Sequence, residues 1–113
     1  MNKLSIDSST SKPLKILITG ASSELGAAAA NILLNIEGLE ISVISHRSIV
    51  NISGCKIVYG DLENKASLLR CVDGIDIIIH AAALTRSYLS SDYYKINTDG
   101  TKNLIEASLQ GGV

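Results

Sequence analysis

Apolar residues along this chain follow two rhythms. Short, nearly continuous runs at 15–19 (Lys-Ile-Leu-Ile-Thr), 41–45 (Ile-Ser-Val-Ile-Ser), 56–59 (Lys-Ile-Val-Tyr) and 76–80 (Asp-Ile-Ile-Ile-His) read as strands buried on both faces. Between the first two runs, apolar residues at 25, 28, 29, 32, 33 and 36 repeat at the spacing of a helix with one buried face, ending near Glu37 and Gly38. Leu68, Leu69 and Val72 mark a short helix that stops at Asp73-Gly74. A last helix is expected from about Asp92 to Leu109, with Ile96, Leu104, Ile105 and Leu109 as its clearest apolar positions. Residues 46–54 read as loop, and residues 1–13, rich in Ser, Thr, Asn and Lys, as a flexible lead to a domain over 14–113.

Apolar strands that alternate with helices predict an α/β fold: a three-layer, Rossmann-like parallel sheet. Right-handed crossovers then order its strands 3-2-1-4, with a switch point between the first and the fourth. Ligands in such sheets sit beyond the carboxyl ends of the strands, and here those ends carry residues 20–26, 45–47, 60–62 and 80–83.

Composition narrows the classes. A chain of 113 residues is sized for one domain, and 46% hydrophobic content is too high for a disordered one. The formal charge is -1 with no basic stripe, which gives no case for nucleic acid or an anionic membrane as partner. No apolar run is long enough to span a bilayer, and the amino terminus lacks the apolar segment of a secretory signal. Cys55 and Cys71 stand apart, without metal-ligand spacing, and read as small apolar residues in a reducing cytoplasm.

The segment Thr19-Gly-Ala-Ser-Ser-Glu-Leu-Gly26 follows a strand and opens a helix. A diphosphate needs a tight turn, close backbone approach and free N–H groups at a helix start. Gly20 can supply the turn and Gly26 the close helix–strand contact. After the second strand, Ser45-His-Arg47 offers no acid for a ribose hydroxyl. Arg47 lies roughly twenty residues past the glycine loop, where a cation suits a 2′-phosphate, and this favours NADP over NAD.

These segments resemble the extended short-chain dehydrogenase/reductases of the NAD(P)-dependent epimerase/dehydratase type, in their amino-terminal part. Residues 19–26 are similar to the TGxxGxxG loop of that family, with Ser23 at its middle glycine and Glu24 after it. Tyr59-Gly-Asp-Leu62 resembles the GDL segment, Ile79-His-Ala-Ala-Ala83 the IHxAA strand end, and Asn97-Thr-Asp-Gly-Thr101 with Asn103-Leu-Ile-Glu-Ala107 the NVxGTxNLLEA helix. The resemblance implies a dinucleotide bound by Gly20, Ser22, Ser23, Leu25, Gly26, Arg47, Asp61, Leu62, Ala81, Ala82, Ala83 and Asn97, with Asp61 and Leu62 flanking the adenine. The Ser23 hydroxyl is a candidate donor to a phosphate oxygen. His80 then reads as structural rather than as a general base. The resemblance also implies that Asn97 shapes a helix irregularity and would support a catalytic lysine through water.

That family uses a tyrosine with a lysine four residues on. Here Tyr59 is followed at that spacing by Glu63, Tyr88 by Asp92, Tyr93 by Asn97 and Tyr94 by Thr98. The expectation is therefore the cofactor-binding part of an oxidoreductase, epimerase or dehydratase acting on a sugar nucleotide or a carbonyl/hydroxyl substrate. The sheet would stop before its fifth strand and the chain alone would turn over little or nothing. A non-catalytic dinucleotide-sensing or protein-interaction module is the alternative, and a homo-oligomer is compatible with either.

Overall fold

The computed structural model describes residues 4–5, 12–21, 23–46, 52–81 and 95–113. In chain order the elements are β1 (Leu4–Ser5), β2 (Leu14–Thr19), α1 (Glu24–Leu33), β3 (Ile36–Glu37), β4 (Leu39–Ser45), β5 (Lys56–Tyr59), α2 (Lys65–Cys71), β6 (Ile77–His80), a π-helical turn (Lys95–Asp99) and α3 (Gly100–Gly111). Four strands form one parallel sheet in the spatial order β5-β4-β2-β6, which is the predicted 3-2-1-4. Register is set across the centre, with Ile18 of β2 beside Val43 of β4 and Ile79 of β6. At the opposite end of the sheet, the Lys15 amide donates to Asp76 Oδ2 and the Asp76 amide to the Lys15 carbonyl, fastening β6 to β2.

Alternation along β2 sends side chains into two separate cores. Ile16 and Ile18 pack with Ala21, Ala30, Ile41 and Val43 on the side of α1. Leu17 packs with Leu68, Cys71, Val72, Leu104 and Ala107 on the side of α2 and α3. Leu17 and Ile18 are fully buried, each worth about 1.5–3 kcal/mol relative to exposure. Helices thus cover both faces, as the three-layer prediction requires.

Three expectations need correction. The first helix does not bury positions 25, 28, 29 and 32: Leu25 is 72% and Ile32 is 66% exposed, whereas Gly26 and Ala30 are buried. The docked stripe lies one residue over, about 100° around the axis. Two small residues let the helix approach the sheet more closely than leucine would. That helix also ends at Leu33, not near Gly38, because Ile36 and Glu37 leave it to pair with Leu4 and Ser5. Finally, the outer strands are not buried on both faces, since Ile57 and Tyr59 of β5 and Ile77 of β6 are largely exposed. Edge strands lack one neighbour, so apolar runs there do not imply two covered faces.

The last helix is regular only from Gly100; Lys95–Asp99, which contains Asn97, is a π turn, and the predicted start at Asp92 lies outside the described residues. Leu104 is buried, while Ile105 and Leu109 are exposed.

Candidate functional site

The carboxyl ends of β2, β4, β5 and β6 lie along one edge of the sheet and carry Gly20, His46, Gly60-Asp61 and Ala81 in turn. Gly20 leaves β2 at φ 75°, a left-handed conformation that favours glycine. The chain then turns back into α1. Ser23 is the N-cap: its amide and its hydroxyl both donate to the Gly20 carbonyl (3.0 and 2.6 Å), and its Oγ accepts from the Gly26 amide at 3.1 Å. The Ser23 carbonyl accepts from the Ala27 amide.

Gly26 is pressed against this turn. A β-carbon on it would lie 2.0 Å from the Gly20 carbonyl oxygen and 2.5 Å from the carbonyl carbon. Only glycine permits such an approach. The donors that a helix start leaves open are therefore, among the described residues, the amides of Glu24 and Leu25. Glu24 itself is exposed. The Ser23 hydroxyl, expected as a phosphate donor, is here spent on the Gly20 carbonyl, and the capping amide of Gly26 is occupied as well.

Further along the edge, Gly60 is buried where a β-carbon would meet Cys71 Sγ at 2.8 Å, and the Cys71 thiol donates to the Tyr59 carbonyl. Burial pushes the Cys71 and Cys55 thiols up from their ordinary range, and both are free. Asp61 is held at both ends. Its amide donates to Ser67 Oγ at 2.9 Å, and its Oδ1 accepts from the Glu63 amide at 2.9 Å. Its Oδ2 lies 3.4 Å from His46 Nε2. The His46 ring meets Tyr59 edge-on, with centroids 5.7 Å apart. The Leu62 carbonyl accepts from Asn103 Nδ2 at 2.8 Å, and Gly100 packs on the Leu62 side chain, so α3 braces this loop.

At the end of β6 the Ala81 amide donates to both the carbonyl and the hydroxyl of Thr19, each at 3.1 Å. Thr19 Oγ1 is 2.6 Å from His80 Nδ1, and His80 Nε2 is 2.9 Å from Thr101 Oγ1. Each hydroxyl can donate or accept, so either neutral tautomer of His80 satisfies both contacts. Burial lowers the His80 pKa and favours the neutral form. His80 thus ties two strand ends to α3, a bracing role.

Gly20, Ser23, Leu25, Gly26, Asp61, Leu62 and Ala81 therefore share one edge. Asn97 lies in the π turn that leads into α3. Ser22, Arg47, Ala82 and Ala83 lie outside the described residues. Sequence reasoning missed the partners Thr19, His46, Ser67 and Thr101. Asn64, whose side chain caps α2 through the Ser67 amide, was the one local signal for Ser67. The others are joined only by the fold.

The arrangement fits a dinucleotide diphosphate: a positive helix end, two open amides, and a glycine contact that a β-carbon would abolish. Comparison with known proteins agrees. The profile of the NAD dependent epimerase/dehydratase family matches residues 16–113. Among curated proteins, the chain is 31% identical over 103 residues to a 2-alkyl-3-oxoalkanoate reductase from Stenotrophomonas maltophilia, covering 88% of this chain and 31% of that protein. Among solved structures, a UDP-glucose 4-epimerase superposes with TM-score 0.74 at 28% identity, over 85% of this chain and 32% of the other. A variant of uronate dehydrogenase from Agrobacterium tumefaciens complexed with NAD gives TM-score 0.71 at 25% identity, over 88% and 37%. This chain spans about a third of the length of the curated relatives it matches. With that glycine-built helix start on a 3-2-1-4 parallel sheet, the chain belongs to the NAD dependent epimerase/dehydratase family.

Proposed function

We propose that this chain is the dinucleotide-binding part of an NAD(P)-dependent oxidoreductase, epimerase or dehydratase. Its substrate is a sugar nucleotide or another carbonyl/hydroxyl compound. The observation that carries this reading is the contact between Gly26 and the Gly20 carbonyl, which sets the free amides of Glu24 and Leu25 at the head of α1 beyond a buried parallel strand. Those amides would take the diphosphate. Gly20, Ser22, Ser23 and Gly26 would line it, Asp61 and Leu62 would flank the adenine, and Ala81, Ala82, Ala83 and Asn97 would face the remainder. Arg47 would favour NADP.

When bound, the nicotinamide supplies hydride exchange at C4. The protein's own part is to hold and orient it. No tyrosine here has a lysine four residues on, so the acid/base pair that the reaction needs is not in these 113 residues, and the chain alone would turn over little or nothing. Self-capping by Ser23 gives a second reading, a non-catalytic dinucleotide sensor, its specific support, because it leaves fewer donors for the ligand.

Thermal melting with NAD or NADP tests the reading. Ligand at a hundredfold its Kd stabilises by about 2.7 kcal/mol, which raises Tm by roughly 10 °C in a chain of this size. Gly26→Val is expected to abolish the shift. A wild-type Tm indifferent to both dinucleotides at millimolar concentration would count against the function.

A further inference from the structure

β6 closes one side of the sheet. Among the described residues it pairs with β2 alone, and its other edge is bare. The Ala81 amide donates to the Thr19 carbonyl, and in a parallel ladder alternate residues address the same neighbour. Ile77 and Ile79 therefore turn their backbone groups to β2, while Ile78 and His80 turn theirs outward. Side chains alternate between the two faces. Ile79 packs on the core beneath α1, Ile78 packs on the core beneath α2 and α3, and Ile77 is 43% exposed. Helix α3 adds apolar surface on the same side: Thr101 reaches His80 at the end of β6, and Ile105, one turn on, is 54% exposed. Asn103 and Glu106 hold the other flank of α3, bonded to Leu62 and Lys65. Ile77–His80 carries neither lysine nor proline, the residues that commonly blunt an open edge against another strand.

We propose that β6 is a homodimer interface, pairing antiparallel with β6 of a second copy about a two-fold axis at Ile78. Two four-stranded sheets then become one of eight strands. What selects a second copy is self-complementarity. A two-fold axis normal to the sheet makes the paired strands antiparallel and keeps each helix layer on its own face. Opposed side chains must also share a face, and with the axis at Ile78 they do. Ile77 meets Ile79 of the second copy, and Ile78 meets its own twin. Asp76 stands across from His80 of the second copy, so no like charges oppose each other. The outward amide and carbonyl of Ile78 bond those of its twin, and Ile105 of each α3 flanks the join. A formal charge of -1 per chain adds little repulsion between copies. Four residues of strand and one helix flank make a small interface, so the dimer is a weak one that forms at high concentration. The inference stands apart from the dinucleotide reading and needs no ligand.

Sedimentation equilibrium of the 113-residue chain, from micromolar to millimolar concentration, tests this. The mass is expected to rise from 11.9 kDa toward twice that value and level off. Ile77→Lys sets a charge beside Ile79 of the second copy, and Ile78→Pro deletes the outward amide; each should weaken dimerisation by about tenfold or more. Ile57→Lys, on the opposite edge strand β5, is the control and should change it by less than about twofold. Ile77 and Ile57 are both exposed, so the melting temperature of the dilute lysine variants should stay near wild type and a lost dimer reports the interface rather than the fold. In hydrogen exchange the Ile78 amide should gain protection as concentration rises. A wild type that stays monomeric to millimolar concentration overturns the inference and leaves this edge to a different polypeptide. A dimer that Ile57→Lys breaks and Ile77→Lys spares overturns it as well. A mass that climbs past two copies without a plateau overturns the closed two-fold pairing.

Discussion

Replacing Gly26 by alanine probes the contact on which the site is built. The added methyl would lie 2.0 Å from the Gly20 carbonyl oxygen, 2.5 Å from its carbon and 3.0 Å from Ala21 Cα, all of them backbone. No side-chain rotation relieves a clash with backbone. Either α1 or the turn must withdraw, by more than about an ångström before the contact becomes ordinary. Overpacking of this kind costs about 1–3 kcal/mol, and a site with only backbone around it belongs at the upper end. In a chain of 113 residues that lowers Tm by roughly 10–15 °C. The same withdrawal separates the Glu24 and Leu25 amides from the turn, so dinucleotide affinity should fall at least tenfold. Gly20→Ala serves as the comparison. It strains a residue at φ 75°, at a cost of about 1–2 kcal/mol. Thermal and urea unfolding followed by circular dichroism, with calorimetric titration of NAD and NADP, measure both effects. A Gly26→Ala protein that melts within about 2 °C of wild type and binds dinucleotide equally well would refute the reasoning.

Other substitutions separate loop, rim and brace. Ser23→Gly gives up a cap at a cost of only a few tenths of a kcal/mol, since glycine is itself tolerated there, and it frees the Gly26 amide; dinucleotide affinity should rise about fivefold. Unchanged or weaker binding would show that the cap does not compete with the ligand. Ser67→Ala removes a buried hydroxyl and strips the half-buried Asp61 amide of its acceptor, and should destabilise by about 1–3 kcal/mol in urea titrations; a loss below about 0.5 kcal/mol would mean the amide finds another partner. For His80, burial lowers the folded-state pKa, so at acid pH the unfolded chain binds more protons than the native one. The associated stability is intact above the unfolded value of about 6.5 and is lost as pH falls from there through the folded value. Tm should therefore drop between pH 7.5 and pH 5.5, more steeply in wild type than in His80→Gln; parallel profiles would contradict the partial desolvation of the ring.

The sheet was legible because a strand buried on both faces carries a nearly continuous apolar run, as Ile16–Ile18 of β2 does and as Ile41–Ile44 of β4 does with only Ser42 between. Their order followed from the right-handed crossovers of a parallel sheet. Gly20 and Gly26 were legible for a different reason: a positive φ and a backbone contact are demands that few other residues meet. The phase of α1 was not legible. Leu25, Ala28, Ala29 and Ile32 form the stronger apolar stripe, yet closeness of approach, not hydrophobicity, selected Gly26 and Ala30. The pairing of Leu4–Ser5 with Ile36–Glu37 involves segments too short to show a period. The links of His46 to Asp61 and of His80 to Thr19 and Thr101 join residues distant in sequence, and no local pattern announces them. The irregular turn around Asn97 came instead through likeness to a family, and the π-helical Lys95–Asp99 segment agrees with it.

The central claim is that the head of α1 receives a diphosphate, and backbone amide resonances report on it directly. In a titration of the isotopically labelled chain with NADP or NAD, the Glu24 and Leu25 amide protons are expected to move downfield in a saturable manner, in step with calorimetric binding. Saturable binding that leaves those two amides unmoved, while shifts gather elsewhere on the protein, would contradict the account.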